Sequence, residues 1–106
     1  MTVKHIGTMD EYNALLETSK TKLVIIDFSA QWCGPCKMIS PKFEKMSDEF
    51  ADIEFAKVDV DEAEDVAAKC GIQAMPTFQF YKGGAMVEEM KGANEGGLRN
   101  LIAKHK

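Results

Sequence analysis

Apolar and polar positions along this chain switch repeatedly between a two-residue rhythm and a three-to-four-residue rhythm, and each switch marks a new element. Val3–Ile6 reads as a short strand. Thr8 is placed as an N-cap with Glu11 three residues on, a capping box, and Tyr12, Leu15 and Leu16 follow on one helical face. Leu23–Ser29 is apolar on both alternating faces, the pattern of a central strand covered from two sides. Helical spacing then returns: Cys36, Ile39, Phe43, Met46 and Phe50 form one stripe, ending near Phe50. Pro41 withdraws one donor from the middle of that helix and predicts a kink.

The second half repeats the alternation. Ile53–Val60 reads as a strand. Asp61 is expected to cap a short helix, with Glu64 in the reciprocal position, Ala63, Val66, Ala67 and Cys70 on its apolar face, and Gly71 as its stop. Thr77–Tyr81 and Ala85–Lys91 flank Lys82-Gly83-Gly84 and predict a hairpin. Asn94 starts a last helix that turns Leu98, Leu101 and Ile102 inward. Strands joined through helices run parallel, and the hairpin runs antiparallel. The expected fold is therefore α/β: a mixed five-stranded sheet flanked by four helices on both faces, in a single domain over residues 1–106.

Composition supports this and narrows the functions. Of 106 residues, 45% are hydrophobic and 28% charged, enough for one core without staples. The longest strongly apolar run, Leu23–Ile26, falls far short of the roughly 20 residues of a membrane helix. Thirteen basic against seventeen acidic residues give a net charge of −4, which argues against nucleic acid as a partner. Met1–His5 lacks a charged start leading into an apolar stretch, and Ala103–Lys106 carries no retention or lipidation motif, so the expected location is cytoplasmic. Three cysteines, an odd number, speak against a disulfide framework and for redox, catalytic or metal chemistry.

Cys33-Gly34-Pro35-Cys36 falls where the central strand hands over to a helix. A helix N-terminus offers unpaired N–H groups and partial positive charge, so Cys33 is expected to have a lowered pKa. Cys36, one turn on and on the apolar stripe, is expected to be more buried and less acidic. Trp32 adds apolar surface beside the exposed nucleophile, and Pro35 stiffens the first turn. This arrangement suits thiol–disulfide exchange, in which Cys33 attacks a target disulfide and Cys36 resolves the mixed disulfide. A zinc site would need four ligands, and Cys70, His5 and His105 are scattered, so no metal is expected. No Gly-rich nucleotide loop is present, so no cofactor is expected to bind and electrons must come from outside.

Asp27 shares a strand face with Leu23 and Ile25, where a carboxylate is costly to ionise. It is expected to take the Cys36 proton through a water; the alternative is a buried acid merely satisfied by hydrogen bonds. Lys57 shares a face with Ile53 and Phe55 and is expected to approach Asp27 from a neighbouring strand. For Met75-Pro76 the base rate alone favours a trans bond.

Val24–Met38, with Asp27-Phe28-Ser29-Ala30 leading into Trp32-Cys33-Gly34-Pro35-Cys36-Lys37, resembles thioredoxins of the animal cytosolic type. So do Val58-Asp59-Val60-Asp61, Met75-Pro76-Thr77-Phe78 and Gly92-Ala93-Asn94, in the same order along the chain. The resemblance implies the thioredoxin fold, Cys33 as nucleophile, Cys36 as resolving cysteine, and a cis Pro76 beside the pair. It implies a general electron donor to oxidised proteins such as peroxiredoxins, itself recharged from NADPH by a separate thioredoxin reductase. It also implies a target groove lined by Trp32, Val60, Ile72, Met75, Pro76, Gly92 and Ala93, where the Met75 backbone pairs with a peptide as an added strand.

Ala63 and Ala74 stand where cysteines can occur in animal members, which removes a homodimer linked through position 74, speaks against regulation by a second intramolecular disulfide, and leaves a monomer as the expectation. Cys70 reads as a small buried hydrophobe or as a modifiable thiol. A secretory oxidase or isomerase fits Gly34-Pro35 poorly. A second reading is a binding module whose apolar groove around Trp32 restrains a partner and releases it when Cys33–Cys36 oxidises; paired cysteines at a helix start favour chemistry, and the two roles can coexist.

Overall fold

In the computed structural model, which describes residues 3–106, the elements run β1 (Val3–Ile6), α1 (Met9–Thr18), β2 (Val24–Ser29), α2 (Gly34–Glu49), β3 (Glu54–Asp59), α3 (Glu64–Lys69), β4 (Thr77–Lys82), β5 (Ala85–Lys91) and α4 (Glu95–His105). Met1 and Thr2, part of the stretch read for a leader, lie outside the described residues. The sheet order is β1-β3-β2-β4-β5. β3 pairs parallel with β1 and β2, while β4 pairs antiparallel with β2 and β5, so the expected mixed five-stranded sheet is present.

β2 is buried at every residue because it lies in the middle and both of its faces are covered. Val24, Ile26 and Phe28 join Tyr12 and Leu15 of α1 and Val66 of α3 in one core. Ile25 on the other face joins Ile39, Phe43 and Met46 of α2 and Leu98 and Ile102 of α4. Phe43 sits edge-on to Phe55 with centroids 5.1 Å apart and tilts against Phe78 at 5.5 Å. Burying this many aromatic and branched side chains contributes roughly 2 kcal/mol each and fixes α2 against the sheet.

Local chemistry explains the boundaries. Glu11 N–H donates to Thr8 Oγ1 at 3.1 Å as a capping box requires, but the Glu11 carboxylate returns to the Gly7 N–H at 2.8 Å, one residue earlier than expected. α2 continues through Pro41 to Glu49, with Phe50 as its C-cap. Gly83 and Gly84 at φ +69° and +85° make the hairpin turn in a region that other residues avoid. The expected cap of α3 is corrected. The helix begins at Glu64 behind Ala63, which makes no side-chain cap, and neither Asp61 nor Glu64 plays the capping part. The reason is local competition: Asp59 Oδ1 accepts from the N–H of Asp61 and of Glu62, at 2.9 and 3.3 Å, and forms the turn itself.

Candidate active site

Where β2 ends, the chain makes a tight turn and enters α2 with Cys33 as its N-cap. Cys33 and Cys36 form a disulfide across the first turn, their Cα atoms 5.3 Å apart. The Cys36 N–H donates to Cys33 Sγ at 3.2 Å. A backbone donor at a helix start therefore points at this sulfur, and the same donor stabilises negative charge there once the bond opens. The expected contrast in exposure is corrected: Cys33 is 5% exposed and Cys36 3%. Cys33 is not an open nucleophile in the oxidised state, because Ala30, Val60 and Met75 close around both cysteines.

Trp32, next to Cys33, projects and is 68% exposed. Its indole Nε1–H donates to Asp61 Oδ2 at 2.9 Å. The carboxylate expected to cap α3 instead holds the indole, a role that sequence spacing 29 residues apart does not signal.

Asp27 is fully buried, and neither carboxylate oxygen has a hydrogen-bond partner among the described residues. Burial pushes its carboxyl up from 3.8 to about 7, against a smaller downward pull from Lys57. Lys57 stands opposite Asp27 in the parallel β2–β3 register. Its ammonium donates to Ser40 Oγ at 3.1 Å, so Ser40 anchors the cation beside the acid. Ser40 also escaped the sequence reading; its signal was its place four residues after Cys36, on the same side of α2. An open cleft of about 1030 Å³ brings Cys36, Ser40 and Lys57 together at the C-terminal ends of β1, β2 and β3.

The expected groove residues partly converge. Val60 and Met75 pack against the cysteine cluster, and Ile72, like Val60, packs against the neighbouring core under α1 and α3. The Met75-Pro76 bond is cis, against the base rate and as the resemblance implied. Gly92 N–H donates to the Pro76 carbonyl at 2.9 Å, which brings that loop to Pro76; Gly92 sits at φ +99° and Ala93 is exposed after it. Gly34 and Pro35 are exposed on the first turn of α2. Among the described residues no cluster of three or more metal-ligating side chains occurs, and no helix is long and apolar enough to cross a membrane. Cys70 is half-buried, with Sγ 3.9 Å from Tyr81 Oη.

The thioredoxin family model matches residues 3–104. The chain belongs to the thioredoxin family. Thioredoxin of Gallus gallus is 50% identical over 100 residues, covering 94% of this chain and 95% of its own. Thioredoxin of Geodia cydonium is 50% identical over 105 residues, covering 98% and 99%. The X-ray structure of Fasciola hepatica thioredoxin superposes with a TM-score of 0.95 at 46% identity, over 98% of this chain and all of that one. The thioredoxin fold and the Cys33–Cys36 pair together make this chain a disulfide reductase that works by dithiol–disulfide exchange.

Proposed function

We propose that Cys33 attacks and Cys36 resolves. The Cys33 thiolate attacks one sulfur of a target disulfide, and the other target sulfur leaves as a thiolate. The Cys36 thiolate then attacks Cys33 Sγ, the mixed bond breaks, and the second target sulfur leaves. Two electrons pass to the target, and Cys33–Cys36 becomes the disulfide. The observation that carries this reading is the Cys36 N–H held 3.2 Å from Cys33 Sγ at the start of α2, because it favours the thiolate on that sulfur over the other.

Asp27 serves as proton acceptor for the Cys36 thiol. An acid near pKa 7 exchanges a proton at neutral pH, where one near 4 would be permanently ionised and a weak base. Lys57, anchored by Ser40, keeps that acid from rising further. Trp32, Val60, Ile72, Met75, Pro76, Gly92 and Ala93 form the docking groove, and the Met75 backbone pairs with an extended target segment. Support comes from Val60 and Met75 flanking the sulfurs and from the Gly92–Pro76 bond. Electrons return from NADPH through a separate thioredoxin reductase. Targets include peroxiredoxins, and the chain acts as a single-domain monomer in the cytoplasm.

The test couples disulfide reduction to NADPH and a thioredoxin reductase. Cys33→Ser and Cys36→Ser both lose turnover. Cys36→Ser accumulates mixed disulfides with targets and Cys33→Ser does not; trapping through Cys33→Ser instead would reverse the two roles.

A further inference from the structure

On the face of the sheet away from Asp27, a buried polar chain runs from α1 to the end of α3. Gln79 and Tyr81 stand two residues apart on β4 and so project to the same side. Tyr81 Oη donates to Gln79 Oε1 at 2.7 Å, and Tyr12 Oη lies 2.9 Å from Tyr81 Oη. With the Tyr81 proton committed, Tyr12 is the donor of that pair. The Gln79 amide nitrogen donates to the Cys70 carbonyl at 3.2 Å and to Glu89 Oε2 at 2.8 Å. Gln79 is only 1% exposed, and both ends of its amide are engaged. A fully satisfied buried amide fixes the groups it bonds to.

The group that matters is the end of α3. This helix has six residues, too few to hold its own shape. It closes in a Schellman motif, with Gly71 N–H on the Ala68 carbonyl and Ile72 N–H on the Ala67 carbonyl, both at 3.1 Å, and Gly71 at φ +69°. The C-cap carbonyl, that of Cys70, is held by Gln79. Ile72 follows two residues later and leads into Met75.

We propose that Gln79 is a positioning residue for target docking: through the Cys70 carbonyl it fixes the end of α3 and thereby places Ile72 on the groove. This rests on the groove reading above. Gln79 bonds to neither sulfur, so its effect falls on target binding and not on exchange chemistry.

The test compares a disulfide-linked protein such as insulin with a small aromatic disulfide that needs no groove. In Gln79→Met, KM for the protein rises about fivefold with kcat unchanged, and the small disulfide is reduced at the wild-type rate. Gln79→Asn keeps an amide but stops a methylene short of the carbonyl; it gives the same split and stands in should Gln79→Met not fold. Tyr81→Phe frees Gln79 Oε1 but keeps the bond to the Cys70 carbonyl, so it raises KM for the protein less than Gln79→Met does and leaves the small disulfide unaffected. Ile72→Ala, run in parallel, probes the groove itself. A raised KM in Ile72→Ala with unchanged KM in both Gln79 variants overturns the proposal and spares the groove. Unchanged KM in Ile72→Ala overturns both, and equal kcat losses on the two substrates overturn the proposal too.

Discussion

The two faces of the central sheet each bury polar groups, and they treat them in opposite ways. On the side of α2 and α4, Asp27 lies fully buried with no hydrogen-bond partner among the described residues for either oxygen. On the side of α1 and α3, Tyr12, Tyr81 and Gln79 are buried too, yet their polar atoms pair with one another and with Cys70 and Glu89. An unpaired buried acid is costly, and its charge state answers to pH. A paired network is rigid, and its two tyrosines, whose hydroxyls burial holds above the usual range, keep their protons at neutral pH. One face therefore holds a group able to exchange protons, and the other holds geometry.

Four perturbations separate these two kinds of burial. The largest effect is at the sulfurs. Cys36→Ser is expected to lower turnover by at least about 1000-fold, since resolution is lost. Adding Asp27→Asn to it should cost nothing more, because the base then has no proton to take; a further drop in a single-turnover assay would give Asp27 a different task.

Next comes Asp27→Asn alone, expected to slow turnover about 100-fold at pH 7.5. The wild-type rate of target release should rise with pH around a midpoint near 7, where the acid loses its proton, and the variant should lack that inflection. Stability moves the other way. The folded pKa is raised from 3.8 to about 7, so the unfolded chain releases this proton first as pH climbs. Native stability is therefore lost progressively between about pH 4 and pH 7, by about 4 kcal/mol in all. Urea unfolding should find Asp27→Asn more stable than wild type at pH 8 and close to it at pH 4.

Smaller, and flat with pH, is the cost of Gln79→Met. It strands the Tyr81 hydroxyl and the Cys70 carbonyl and should lower stability by about 2 kcal/mol at both pH 6 and pH 8. Smallest is Tyr12→Phe, at about 1 kcal/mol, because Tyr12 sits at the end of the chain and donates a single bond. Denaturant titration resolves both.

Much of this was legible in the chain. The two-sided apolar run of β2, the cap at Asn94 and the Gly83-Gly84 turn are short-range signals, and each lies where its residues put it. The anomaly of Asp27 among apolar neighbours was legible too, since a charged residue in such a strand has few bland explanations. Partnerships between distant segments were not. Asp61 reads as a cap by local spacing and is claimed by Trp32, while the turn it was expected to serve is made by Asp59. Gln79 reads as an ordinary strand residue until β4 sets it beside the end of α3. Nor does spacing reveal that Cys33 is covered, because its cover comes from Val60 and Met75, which arrive from other parts of the chain.

That cover has a consequence for what the protein notices. A molecule that merely collides with this end of the sheet meets the indole and the first turn of α2, and the sulfurs lie beneath them. If the groove docks targets as proposed, speed of capture follows dwell time, and encounters are sorted by how well a visitor clings before they are sorted by how readily it accepts electrons.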